Sequence, residues 1–181
     1  LHVSVSVSKS GSPVTFSERN ELGTFTEGVL KRIKEITAFT NPSCCSYERF
    51  ASLEAAENVA WSDCGSGSLV RVVDGTNPGI VLRSPDATCN PYLVFALLIH
   101  AGLDGVDRAA KLRAPAQASS RRPELLPQSL SEALECAEAS PFVRKYIPPV
   151  QLVKFGEMKR REIERTENVG VEAMRKAYLD C

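Results

Sequence analysis

The first eight residues, Leu1-His2-Val3-Ser4-Val5-Ser6-Val7-Ser8, alternate without a break between polar and apolar side chains, and this constrains the fold more than any other stretch. A period of two belongs to a β-strand, so Val3, Val5 and Val7 share one face while His2, Ser4, Ser6 and Ser8 share the other. One face meets a core and the other stays wet. Because a lone strand leaves its backbone donors and acceptors unmet, the rest of the chain must supply neighbours. Ser68 to Val73 and Ile80 to Arg83 are the natural partners. They are separated by the turn-rich Asp74-Gly75-Thr76-Asn77-Pro78-Gly79, and together they predict a hairpin.

After a turn at Lys9 to Pro13, Leu22, Phe25, Val29, Leu30, Ile33 and Ile36 fall at helical spacing. They predict an amphipathic helix over about residues 20 to 37, with Lys31, Arg32, Lys34 and Glu35 on the solvent side. Asn41-Pro42 ends it, since the residue before a proline is pushed out of the helical region. Residues 41 to 66 carry few periodic apolar positions and read as a long surface excursion. Pro91 suits the first turn of a helix that runs to Gly102 or Gly105. Residues 107 to 128 read as a loop or partly mobile segment. Ser129 is a candidate N-cap for a helix over Leu130 to Ala139, with Glu132 completing a capping box. A charged element follows from about Pro149 to Arg165, then a second short helix near Val171 to Leu179.

With 181 residues, 43% of them apolar, the chain can build one ordinary core, and one domain is the expected count. Lys plus Arg and Asp plus Glu each total 22, so no basic excess points to nucleic acid or an anionic membrane surface. The longest apolar run, Tyr92 to Ala101, is about half of the roughly 20 residues a membrane span needs. It reads as a buried helix. The six cysteines form no CxxC pair and lack the spacing of a disulfide scaffold, which suits reduced thiols in a cytoplasmic protein. The chain opens at Leu1 inside a strand, so the lack of a visible targeting segment is uninformative.

Several residues invite a chemical reading. His2 lies on the polar face of its strand, where an imidazole binds a metal only if carboxylates converge on the same ion. Arg49 has the planar, paired donors that suit a carboxylate, and taken alone it equally suits a surface ion pair with Glu48 or Glu54. His100, inside the apolar helix, reads as a core histidine bonded to a backbone carbonyl. Cys44-Cys45 has no His or acidic partner at metal-ligand spacing. Gly65-Ser66-Gly67-Ser68 lacks the strand-then-lysine context of a phosphate loop. The charged run from Glu157 to Arg165 reads as a solvated helix face.

Two longer patterns carry more. Asn41-Pro42 with Ser46-Tyr47-Glu48-Arg49, and Arg83-Ser84-Pro85-Asp86-Ala87-Thr88-Cys89-Asn90-Pro91-Tyr92 running on to Ala101-Gly102-Leu103-Asp104-Gly105, resemble the catalytic half of a glutamine synthetase. The likeness covers residues 1 to 105 by motif and the later helices more loosely. It implies an α+β fold, an antiparallel sheet covered on one side by helices, with residues 1 to 181 as the C-terminal part of the catalytic domain. The family's β-grasp domain and the first part of its catalytic domain have no counterpart in the chain. The implied reaction joins glutamate to ammonia, or another amine, through γ-glutamyl phosphate, using ATP and Mg2+ or Mn2+ in a homo-oligomeric ring.

By the same resemblance Arg49 and Arg83 would bind the amino acid, Ser6 would lie near the nucleotide and His2 would bind metal. Glu54 would be the catalytic flap carboxylate, with Glu57 competing for that role. Four positions depart from the family pattern: Ser4, Cys64, Gly79 and Val81 stand where the family has a second histidine, two arginines and a metal-binding glutamate. Valine cannot coordinate magnesium, and phosphoryl transfer depends on positioned cations. The isolated chain is therefore expected to be inactive. The alternative is a family member that has lost catalysis and serves a structural or regulatory role.

Overall fold

In a computed structural model, residues 1–17, 20–51, 58–64, 67–118, 124–170, 172–173 and 176 are described. Alternation at the N-terminus does produce a strand, β1 (Val3–Val5), paired antiparallel with β6 (Gly79–Leu82), so that Val3 lies opposite Leu82 and Ser4 opposite Val81. The expected hairpin forms between β5 (Ser68–Val73) and β6, with Arg71 opposite Val81. A fourth strand, β4 (Asn58–Ser62), joins β5 in parallel and completes the order β1-β6-β5-β4. The sheet is thus antiparallel except at this edge. Ser8–Lys9 and Ser12–Pro13, here β2 and β3, make a separate two-stranded ribbon at the predicted turn.

β4 lies within the stretch read as a surface excursion. Its residues 59 to 62 are all buried, so no alternation marks it in the sequence. The same excursion also holds a short helix, α2 (Cys44–Glu48), capped by the Ser43 side chain.

The most deeply buried helix is α1 (Glu21–Thr40), which starts where Asn20 Oδ1 accepts from Gly23 N at 3.1 Å. It runs three residues past the predicted end because Ala38, Phe39 and Thr40 are also buried. The supposed solvent face is partly inside: Arg32 pairs with Asp104 at 3.1 Å and with Glu35 at 3.0 Å, and lies over the Phe142 ring. α1 packs against α3 (Pro91–Asp107) at a crossing built from glycine. A Cβ on Gly28 would lie 2.3 Å from the Ala101 carbonyl oxygen, and one on Gly105 would lie 2.2 Å from that of Thr24.

α3 is only half the buried helix the sequence suggested. Val94, Leu97, Leu98 and Ala101 enter the core, whereas Tyr92, Phe95, Ile99 and Leu103 form an exposed apolar stripe. Among the described residues no helix is long and apolar enough to cross a membrane. His100 is half-buried and stacks on Tyr146, with ring centroids 3.8 Å apart, so an aromatic face is its principal neighbour.

α4 (Leu130–Ala139) begins at Ser129 as predicted, although the Glu132 carboxylate reaches back to the Gln128 N–H rather than to the cap residue. A helix the sequence reading passed over, α5 (Pro141–Tyr146), is capped by Ser140. α6 (Pro149–Val169) ends at Gly170, in the left-handed region at φ 81°. Part of its charged run is not solvated: Lys159 and Glu162 pair at 2.9 Å with side chains only 12% and 11% exposed. Glu162 also accepts from Cys44 N at the start of α2. The expected helix over residues 171 to 179 lies outside the described residues apart from three positions.

Residues 107 to 128 lack long elements but are tied to the core where described. Arg113 holds Glu27 through both carboxylate oxygens and donates to the Val59 carbonyl at 3.2 Å. The Trp61 indole donates to Arg113 O at 2.8 Å, and Leu112 and Leu126 are buried.

Candidate functional site

Pairing across the sheet sets Ser4, Val81, Arg71 and Ser62 on one rung that crosses all four strands. Alternation along the strands adds His2 and Arg83 to the same face, one rung further along. Ser4, His2 and Arg71 are exposed, Arg83 is half-buried and Val81 is buried at the centre. Arg83 is steadied by donation from Nη1 to the Ser68 carbonyl at 3.3 Å. The Arg71 side chain makes no hydrogen bond or ion pair to a described residue. Partial desolvation disfavours the cation of the largely exposed His2, and the positive charges of the N-terminus, Arg83, Arg71 and Arg49 add to that. Its imidazole is therefore held below the usual range.

Arg49 reaches this neighbourhood from the turn after α2. It donates to the Ser84 carbonyl and, at 3.5 Å, to that of Pro85, so it is anchored on the segment that directly follows Arg83. Asp86 organises the same corner. Burial opposes its ionisation, but the N–H and hydroxyl of Thr88, at 2.9 and 3.0 Å, the Ser46 hydroxyl and the charge of Arg49 outweigh that effect and hold the carboxyl below its usual range. Asn41 closes the corner by donating to the Ser84 carbonyl at 2.8 Å. Tyr47, two residues before Arg49, buries a hydroxyl that has no hydrogen-bond partner among the described residues, and burial pushes its phenol well above the usual range.

Ser6 lines a groove of about 420 Å³ with Ser4, Pro13, Val73, Pro78, Gly79 and Val81. The groove adjoins the Arg71 rung through Ser4 and Val81. Gly79 is dictated by geometry: a Cβ there would lie 2.5 Å from the Val5 carbonyl oxygen, so the present pairing of β1 with β6 leaves no room for an arginine. Cys64 is exposed, and hydrogen bonding with Asp63 raises its thiol. Glu54 and its competitor Glu57 lie outside the described residues.

Of the residues singled out in the sequence, the structure therefore gathers His2, Arg49 and Arg83 on one side of the molecule, with Ser6 at the neighbouring groove. Arg71 and Asp86 were missed as individual candidates. The signal for Arg71 is a lone cation in an otherwise apolar strand; for Asp86 it is an Asp-x-Thr turn directly ahead of a helix N-cap.

A divalent metal does not fit what is present. Among the described residues the His2 face offers one imidazole and no carboxylate, and its other charged groups are guanidinium cations. Among the described residues no cluster of three His, Cys, Asp or Glu side chains could hold an ion.

Fold and face together define an α+β domain whose sheet presents a positively charged surface beside a small groove. The family model for the glutamine synthetase catalytic domain matches residues 1–178. The chain is 31% identical to the glutamine synthetase of Methanococcus voltae over 91% of its own length and 41% of that protein. It is 36% identical to the enzyme of Halobacterium salinarum over 76% of its length and 33% of that relative. A solved structure of GmaS, in the apo form without ligand, superposes with a TM-score of 0.76 at 26% identity over 99% of this chain and 44% of that one. The chain belongs to the glutamine synthetase family, and it spans between 33% and 44% of the length of these relatives.

Proposed function

We propose that residues 1–181 form the C-terminal part of the catalytic domain of an ATP-dependent ligase, which joins glutamate to ammonia or another amine through γ-glutamyl phosphate when the intact protein is assembled. The observation that carries this reading is the convergence of Arg49, Arg71 and Arg83 around His2. Arg49 and Arg83 would hold the carboxylates of the amino acid, for which paired guanidinium donors are well shaped. Ser6, at the rim of the groove, would lie beside the nucleotide. Glu54 is proposed as the flap carboxylate. ATP and Mg2+ or Mn2+ are the cofactors the family suggests, and among the described residues His2 is the one ligand the face would contribute to a metal. Further ligands would have to come from outside the described residues. A homo-oligomeric ring and a cytoplasmic location belong to the same proposal.

A second reading, a family member without catalysis and with a structural or regulatory role, is favoured by Val81 at the centre of the site and by the steric exclusion of a side chain at Gly79. Phosphate release by the intact protein, assayed with glutamate, a panel of amines and magnesium ATP, separates the two. Amine-dependent turnover would end the second reading, and absence of nucleotide binding at millimolar magnesium would end the first. The isolated chain is expected to show no turnover.

A further inference from the structure

A second cleft, of about 470 Å³, opens where three helices meet, and its size is that of a small-molecule site. It shares no residue with the arginine-bearing face or with the groove beside that face. α2 contributes Tyr47 and Glu48, the start of α4 contributes Ser129 and Leu130, and the last turns of α6 contribute Ile163 and Glu167. Tyr47 and Leu130 are buried and Ile163 is half-buried, whereas both glutamates are exposed. The cleft therefore joins an apolar floor to an acidic rim. Among the described residues no lysine or arginine lines it, and Glu167 stands in the last turn of α6, where the helix dipole favours a cation. The opposite, positive end of α4 is already satisfied: Ser129 Oγ accepts from Glu132 N at 3.1 Å, and the Glu132 carboxylate accepts from Gln128 N at 2.9 Å. An anion entering the cleft would meet two carboxylates and an occupied helix terminus.

Tyr47 sets a second requirement. Its side chain is only 7% exposed, and its hydroxyl has no hydrogen-bond partner among the described residues. Cys44, Glu132, Cys136 and Glu162, all on the same three helices, are the titratable groups that act on it, so the hydroxyl lies at the helix junction beneath the cleft. Burial keeps it protonated and thus a donor. A buried hydroxyl without an acceptor is costly, and an acceptor brought to it gains a hydrogen bond whose protein half is already desolvated. We propose that this cleft binds a small organic ammonium ion that carries a hydroxyl or carbonyl oxygen at the other end of a short aliphatic chain. The ammonium sits between Glu48 and Glu167, the chain lies along Leu130 and Ile163, and the terminal oxygen accepts from Tyr47. The cleft does this whether or not the intact protein is a ligase.

Aminopentanol is the probe, with pentylamine and pentanol as its two halves, and amide NMR of the 181-residue chain reads where each one binds. Saturable shifts confined to α2, the first turn of α4 and the last turns of α6 are the expected result. The dissociation constant should be about 1 mM, within reach of a ligand this small. Pentylamine, which lacks the acceptor, should bind about tenfold more weakly, and pentanol, which lacks the charge, about fivefold. Tyr47→Phe should weaken aminopentanol by about tenfold and leave pentylamine unchanged, a split that a merely structural hydroxyl does not produce. Glu167→Gln should weaken both amines by about threefold and leave pentanol as it was. Glu157→Gln, an exposed carboxylate nearer the start of α6, should change nothing. No saturable shift well above the expected constant, shifts confined to β1 and β6, pentanol as tight as aminopentanol, or a Tyr47→Phe chain that binds like its parent would overturn the inference. Its fate is separable from that of the ligase reading: amine-dependent turnover by the intact protein with no binding in this cleft removes this proposal alone, and cleft binding without nucleotide binding removes only the ligase.

Discussion

Replacing Gly105 by alanine tests the packing that holds the two central helices together. A Cβ at this position would sit 2.2 Å from the Thr24 carbonyl oxygen and 2.7 Å from both Cα and N of Gly28, all of them backbone atoms of the facing helix. Ordinary carbon contacts begin near 3.4 Å, so α1 and α3 must move apart by roughly 1 Å, and overpacking of this kind costs about 1–3 kcal/mol. With three backbone atoms in conflict, a cost of about 3 kcal/mol is expected, against which alanine returns about 1 kcal/mol of helix propensity. The net loss of about 2 kcal/mol corresponds to a fall in Tm of roughly 4–8 °C for a chain of this size. Gly156 in α6 supplies the contrast. There the new Cβ meets the end of the Glu138 side chain at 2.4 Å and Arg160 at 3.1 Å, an exposed pair that can swing aside. Gly156→Ala should therefore be neutral or slightly stabilising. Urea unfolding of both variants measures the difference, and a Gly105→Ala protein as stable as Gly156→Ala would refute the argument from close backbone approach.

Two further outcomes follow from the corner beneath Arg49. Asn41→Ala removes a buried donor to the Ser84 carbonyl and an acceptor used by the Thr40 hydroxyl, and should cost about 1–3 kcal/mol by urea denaturation. Asp86 has a folded-state pKa below its unfolded value, so its contribution to stability is present above about pH 3.9 and disappears as pH falls through the folded value. Unfolding midpoints followed down through that range should drop more steeply for the native chain than for Asp86→Asn, and parallel curves would show that the carboxylate is not held in its charged form by folding.

The elements that could be read from the sequence are those with one wet face and one dry one. Val3 to Val5, the stripe of α1 and the N-terminal capping of α4 each declare themselves by period or by cap chemistry. β4 could not be read because Val59, Ala60 and Trp61 are covered on both sides, and a fully buried strand has no alternation. α5 is six residues long, too short for a helical period to emerge. In the site, Arg49 and Arg83 were found through neighbouring motif residues, whereas Arg71 stands in a strand with no motif of its own and becomes visible only when pairing places it opposite Val81. The exposed stripe on α3 was likewise invisible, since an apolar side chain does not announce whether anything covers it.

The carbonyl oxygen of Ser84 accepts from two donors at once, the amide of Asn41 and the guanidinium of Arg49. One peptide unit thus serves as the hub between the far end of α1 and an arginine facing the charged surface. Both of the oxygen's lone pairs are occupied, and if the guanidinium swings away the oxygen keeps the Asn41 amide as its donor but loses the charge-assisted one. Whatever engages Arg49 must do so with its remaining N–H groups, in the orientation the hub dictates, and any tug on it is felt at Asn41, whose own N–H closes the last turn of α1 on the Thr37 carbonyl.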